Sequence, residues 1–158
     1  KTDLTDGSQL TGLPKFMLGY MLKPTLLLRI AAVLTLLTAA GHTFGTFAPV
    51  PPEQTAVQTA VNVMQSTLVP MPVGKAQTFG DIFFGNNILV SVFLLVAGLI
   101  LLMTAKTPAQ GRHRGIITVV ALGLAAVAII SGRYFFPLPA IFTGLAAIFS
   151  LVSAKVAE

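Results

Sequence analysis

The chain has 158 residues, of which 54% are hydrophobic and only 9% are charged. A soluble domain carries roughly a quarter charged residues, so this composition indicates a membrane protein. Cysteine is absent, which excludes disulfides, thiolate nucleophiles and iron–sulfur clusters. The net charge is +5, but the ten Lys and Arg residues are dispersed and form no basic stripe with aromatic side chains, so nucleic acid is not predicted as a partner.

Two regions differ in composition. Residues 1–20 are predicted to form a non-membrane tail, and residues 21–158 a single four-span membrane domain. The tetrapeptide Met21-Leu22-Lys23-Pro24 is typical of the beginning of a small membrane protein, so part of the tail is expected to be non-native or an upstream extension. The first span is predicted at about 24–47, with Pro24 in its first helical turn.

An amphipathic segment follows the first span. The Pro-rich stretch 48–52 cannot continue a helix. From Glu53 to Leu68 a helical period returns, with Val57, Val61 and Met64 on one face and polar residues on the other. The segment is too short and too polar to cross a bilayer, so we expect a short helix on the extracytoplasmic surface.

Three further apolar stretches predict spans at about 81–104, 115–132 and 138–154. The loop between the second and third spans is basic, with Lys106, Arg112 and Arg114, and therefore predicts a cytoplasmic position with both termini inside. The predicted fold is an all-α, integral membrane four-helix bundle with an extracytoplasmic amphipathic helix between the first and second spans. The predicted location is the bacterial inner membrane.

The polar residues of the first two spans are concentrated near one membrane surface. Counted from the helix ends, His42 and the Asn86-Asn87 pair lie at the same level, about 8 Å inside. Because an unpaired polar group in hydrocarbon costs several kcal/mol, these groups are expected to face the bundle interior. The predicted polar cluster consists of His42, Thr43, Thr46, Asp81, Asn86 and Asn87.

This cluster has two main interpretations. In the first, His42 bonds an Asn or Asp81 and simply pins two helices together. In the second, the cluster forms a pocket around His42 for a lipid, a quinone or another apolar molecule. No cofactor beyond such a bound molecule is predicted, and no metal, because His113 is expected on the opposite side of the membrane and leaves His42 without a second ligand.

Small residues recur at helical spacing in the spans, where they allow neighbouring helices to approach closely. We therefore predict helix packing, rather than a substrate-access role, for the pair that flanks His42 and for four residues of the third and fourth spans. These residues are Gly41, Gly45, Ala121, Ala125, Ala128 and Gly144.

Short motifs resemble a known group. Gly41-His42-Thr43 at the end of the first span and Asp81-Ile82-Phe83-Phe84-Gly85 at the start of the second resemble those of small, uncharacterised bacterial four-span membrane proteins. Ile82 and Phe84 stand where that group typically has aromatic residues that include a tyrosine. The resemblance covers about residue 21 to the C-terminus and implies a four-helix inner-membrane fold, but it carries over no activity.

Three functions remain open from the sequence. The first is an accessory or structural subunit of a larger membrane complex, with the bilayer, other membrane subunits or further copies of this chain as partners. The second is binding of a lipid, quinone or similar molecule around His42. The third is a membrane-embedded enzyme on a lipidic substrate, in which His42 acts as acid or base and Asp81 orients it, although no catalytic residue is assigned.

Overall fold

The computed structural model describes residues 23–106, 111–135 and 137–156. They form five helices and one two-stranded hairpin: α1 Pro24–Phe47, α2 Thr55–Ser66, β1 Leu68–Val69, β2 Gln77–Thr78, α3 Phe79–Thr104, α4 Gly111–Tyr134 and α5 Pro137–Val156. Helices α1, α3, α4 and α5 are long and apolar enough to cross a membrane. The predicted all-α, four-span architecture with an additional amphipathic helix is confirmed. The predicted tail, 1–20, lies outside the described residues.

The helix ends follow local sequence signals. Helix α1 begins at Pro24, which suits a first turn because its missing N–H is not needed there, and it ends before the Pro-rich stretch. Helix α3 begins two residues before the predicted span because Thr78 caps it, and α4 includes basic residues that the sequence analysis assigned to the loop. Residues 107–110, at the centre of that loop, are not described.

Helix α1 is the centre of the bundle. It packs along α3 on one side and along α5 on the other, and α4 packs mainly on α5. Helices α3 and α4 touch only slightly. The bundle is therefore two consecutive hairpins, α1–α3 and α4–α5, joined along the α1–α5 contact. Its core contains the fully buried side chains of Leu28, Leu94, Leu101 and Leu124.

The α1–α3 contact depends on a glycine. A Cβ atom built on Gly98 would lie 2.7 Å from Cδ2 of Leu36 and 3.5 Å from the carbonyl oxygen of Ala32. At the other end of α1, the Ser153 hydroxyl of α5 donates to the carbonyl of Pro24 at 3.0 Å. Close backbone approach and one interhelical hydrogen bond thus hold α1 to its two neighbours.

The predicted packing residues fall into two groups. A Cβ on Gly144 would lie 3.7 Å from that of Ala128, Ala121 is fully buried, and Ala125 packs against the core. By contrast, no atom lies within 4 Å of a Cβ built on Gly41 or Gly45. Among the described residues, the space on the Cβ side of both glycines is therefore open.

Helix α2 and the hairpin cover the start of α3. None of the α2 residues is fully buried, but Val61 and Met64 are half-buried, and a Cβ on Gly80 would lie 3.2 Å from Cγ of Gln65. The two short strands are antiparallel, with Val69 opposite Gln77. The turn between them contains Gly74 at φ +94°, a backbone conformation that favours glycine.

Candidate ligand-binding groove

A groove of about 600 Å³ runs between the C-terminal half of α1 and the middle of α3. Its lining is apolar except for two hydroxyl side chains, and it consists of Leu36, Ala39, Ala40, Thr43, Phe44, Phe47, Ile88, Ser91, Val92 and Leu95. We call this the α1–α3 groove. It is an open furrow on the outside of the hairpin.

Helical periodicity brings these residues together. Leu36, Ala40, Thr43 and Phe47 recur every three or four residues and so share one face of α1. Where α1 ends, the rings of Phe47 and Phe84 meet edge to face with their centroids 5.3 Å apart. This aromatic contact joins the two helices at one end of the groove.

Most hydroxyl groups of the spans bond their own helix. The Thr43 hydroxyl donates to the Ala39 carbonyl at 2.8 Å, and Thr46 donates to the His42 carbonyl at 2.8 Å. The same bond to the carbonyl four residues earlier is made by Thr35, Thr38, Thr104, Thr118, Thr143 and Ser150. These groups need no further partner.

Two enclosed side-chain polar atoms differ from these satisfied hydroxyl groups. Among the described residues, the buried side-chain atoms without a hydrogen-bond partner are Nε2 of His42 and Oγ of Ser91. Leaving such a group unpaired costs about 1–3 kcal/mol. Ser91 also lines the α1–α3 groove, so an unpaired hydrogen-bonding group lies in a mostly apolar lining.

The two unpaired atoms lie on residues at about the same position along the axes of α1 and α3. Phe47 meets Phe84, and Leu36 faces Gly98, so interpolation between these contacts places His42 level with about Val90. This level is about one helical turn deeper than the predicted partners Asn86 and Asn87. The offset arises because α3 starts early, at its Thr78 cap, and extends beyond the end of α1.

Of the remaining residues of the predicted cluster, Asp81 and Asn87 have local partners. Asp81 forms a capping box with Thr78: the Thr78 hydroxyl donates to Oδ2 of Asp81 at 2.7 Å, and the Asp81 N–H donates to the Thr78 oxygen at 3.0 Å. The Asn87 amide donates to the Phe83 carbonyl at 2.9 Å, and Asn86 is exposed. None of the described hydrogen bonds links these side chains to His42.

The distance between His42 and Asp81 bears on the enzyme hypothesis. Asp81 lies in the first turn of α3, nine residues before Val90. At 1.5 Å per residue, it is about 13 Å from the level of His42 along the helix axis. The two side chains therefore do not form an acid–base pair in this structure.

Sequence reasoning missed two residues that shape the groove. Ser91 is the one hydroxyl residue in the apolar stretch from Ile88 to Met103. Its isolation among apolar residues could have indicated it as a candidate site residue. Gly98 had no comparable signal, because its role depends on Leu36 of another helix. The Thr78-x-x-Asp81 spacing was also readable as a capping box.

Comparison with protein-family models, curated proteins and solved structures finds no match to this chain. The described residues contain no group of three or more His, Cys, Asp or Glu side chains that could hold a metal ion. The α1–α3 groove and its neighbouring unpaired atoms are therefore the features from which a function can be argued.

Proposed function

We propose that this multi-pass membrane protein resides in the bacterial inner membrane and binds a lipid, a quinone or another apolar molecule in the α1–α3 groove. One observation carries the proposal: the enclosed Oγ of Ser91, a residue of the groove lining, has no hydrogen-bond partner, whereas the unpaired Nε2 of His42 belongs to a residue outside the lining. A ligand in an apolar groove can supply the hydrogen-bond partner that such a polar group lacks.

The physics of the bilayer determines what selects the ligand. Lipid tails are as apolar as the groove, so burial of apolar surface alone gives no preference for one molecule over another. Shape and hydrogen bonding remain as sources of selectivity. The groove lining includes the small side chains of Ala39 and Ala40 beside the larger Leu36 and Phe44.

Native mass spectrometry of gently extracted protein tests this proposal. The wild type is expected to retain an apolar small molecule, and Ala40→Phe is expected to lose it because the new ring fills the groove. Ala126→Phe is the matched control, since Ala126 is an exposed alanine of α4 that is not part of the groove lining. Equal retention by both variants would remove the groove as the binding site.

A second function, an accessory subunit of a larger membrane complex, is favoured by a different observation. Gly41 and Gly45 form a Gly-x-x-x-Gly pair on α1, and nothing within 4 Å covers them. Such pairs let helices of different chains approach closely in a membrane.

Co-purification tests this second function. Gly41→Leu is expected to release a stoichiometric membrane partner or a second copy of this chain, whereas Gly85→Leu is expected to retain it. Gly85 is a suitable control because it too is helical and has no atom within 4 Å of its built Cβ. A wild-type chain that purifies as a monomer without any partner would contradict the subunit function.

A further inference from the structure

We infer that the ligand of the α1–α3 groove carries a neutral carbonyl group whose oxygen accepts a hydrogen bond from the Ser91 hydroxyl. This inference rests on the proposed function, because it names the chemical class of molecule that the groove selects. The donor is Ser91 Oγ, and the apolar remainder of the ligand lies along α1 and α3.

Ser91 is the available donor in the groove lining. The other hydroxyl of the lining, on Thr43, already donates to the Ala39 carbonyl. Ser91 Oγ is enclosed and makes no such bond with its own helix. Because serine turns its hydroxyl by rotation about a single bond, the group can reach a ligand in the groove without a backbone movement.

A carbonyl is the simplest partner for the Ser91 donor. The acceptors of the groove lining are the hydroxyl oxygens of Ser91 and Thr43, and the neighbouring side chains of Ile88, Val92 and Leu95 are apolar, so a ligand O–H or N–H has few partners there. A carbonyl oxygen accepts the Ser91 hydrogen and brings no additional donor. It therefore satisfies the unpaired group without creating another one.

The position of Ser91 within the apolar stretch of α3 requires an uncharged group on the ligand. Ser91 lies four residues after Asn87, about 6 Å further along α3, and inside the apolar stretch that begins at Ile88. A charged group at this depth would lose its hydration without gaining a counter-ion, because no charged residue lines the groove. A neutral carbonyl can enter at much lower cost.

Exposed aromatic side chains in the groove lining favour a ligand with a flat head group. Phe44 and Phe47 line the groove and are 79% and 62% exposed. Aromatic rings prefer offset-stacked or edge-to-face contacts with other rings, as Phe47 already makes with Phe84. The combination of a hydrogen-bond donor on Ser91 and exposed rings fits a ligand with a cyclic ketone or quinone head and an apolar tail.

A matched pair of probes tests the inference on the full chain in nanodiscs. One probe is a naphthoquinone with a dodecyl tail, and the other is naphthalene with the same tail. Wild-type protein is expected to bind the quinone about three- to tenfold more tightly than the hydrocarbon. Ser91→Ala is expected to lower quinone affinity to that of the hydrocarbon and to leave hydrocarbon affinity unchanged, whereas Ser150→Ala keeps the preference.

The outcomes separate this inference from the proposed function. If both probes bind the wild type equally, or if Ser91→Ala keeps the preference, the carbonyl contact is overturned while the groove remains a binding site. If nanodiscs of ether-linked phospholipid, which has no ester carbonyl, raise the quinone affinity of the wild type but not of Ser91→Ala, a phospholipid ester carbonyl occupies the Ser91 position and the requirement for a flat neutral head is overturned. If neither probe binds and Ala40→Phe changes nothing, the proposed function itself fails.

Discussion

Ser91 and His42 differ from the other polar residues of the spans in one physical respect. Hydroxyl groups such as those of Thr35 and Ser150 are satisfied within their own helix, so they add little cost to a membrane bundle. The Ser91 hydroxyl and Nε2 of His42 are enclosed and have no partner. For Ser91, which lines the α1–α3 groove, this desolvation is an energetic cost that binding of a ligand can offset.

Substitution of His42 tests whether this residue pins two helices together. If Nε2 is unpaired in the ligand-free protein, His42→Leu removes an enclosed polar atom and is expected to leave stability unchanged or raise it by about 1–2 kcal/mol. A His42 that pins two helices would instead lose stability on substitution. Equilibrium unfolding in detergent measures the difference, with Thr35→Val as the control because its hydroxyl is buried and already bonded.

Gly98 links helix packing to the groove. In Gly98→Ala, the new Cβ would lie 2.7 Å from Cδ2 of Leu36, so that side chain, which lines the groove, must move. We expect a loss of about 1–3 kcal/mol in stability together with weaker ligand retention. Gly85→Ala is the control and should be neutral or slightly stabilising, because its new methyl meets no atom. Unchanged retention in Gly98→Ala would contradict the link.

At the scale of the secondary-structure elements, the sequence predicted the helices but not the register between them, that is, which residues of neighbouring helices lie at the same level. Long apolar stretches and prolines predicted the four spans, and the period of Val57, Val61 and Met64 predicted α2. The level of His42 could not be obtained by counting from the helix ends, because it depends on the contacts of Phe47 with Phe84 and of Leu36 with Gly98. Such contacts join residues far apart in sequence, and no local pattern encodes them.

The capping box of α3 fixes where that helix begins. Thr78→Ala removes both the hydroxyl that accepts from the Asp81 N–H and the donor to the Asp81 carboxylate. We expect the first turn of α3 to lose about 1 kcal/mol of stability and its amides to exchange hydrogen faster. Thr59→Ala, in exposed α2, is the control and should leave the first turn of α3 unchanged. Equal exchange in both variants would show that tertiary packing alone holds this end.

At the scale of the whole molecule, charge is distributed unequally between the two ends of the bundle. Lys23, Arg29, Lys106, Arg114 and Lys155 lie towards the end where α1 begins, whereas Lys75 and Arg133 lie towards the end where α1 finishes. Basic residues favour the cytoplasmic side of a membrane. The α1–α3 groove would then open in the outer half of the bilayer, together with α2 and the hairpin.

Single-cysteine labelling tests this orientation, and the chain contains no native cysteine that would interfere. Lys75→Cys, in the exposed turn of the hairpin, is expected to react with a membrane-impermeant maleimide in intact spheroplasts. Lys106→Cys, at the end of α3, is expected to react only after the membrane is opened, and Ala97→Cys is the buried control. The reverse pattern would contradict the orientation and would place the groove in the cytoplasmic half of the bilayer, so that its ligand would have to enter from the inner leaflet.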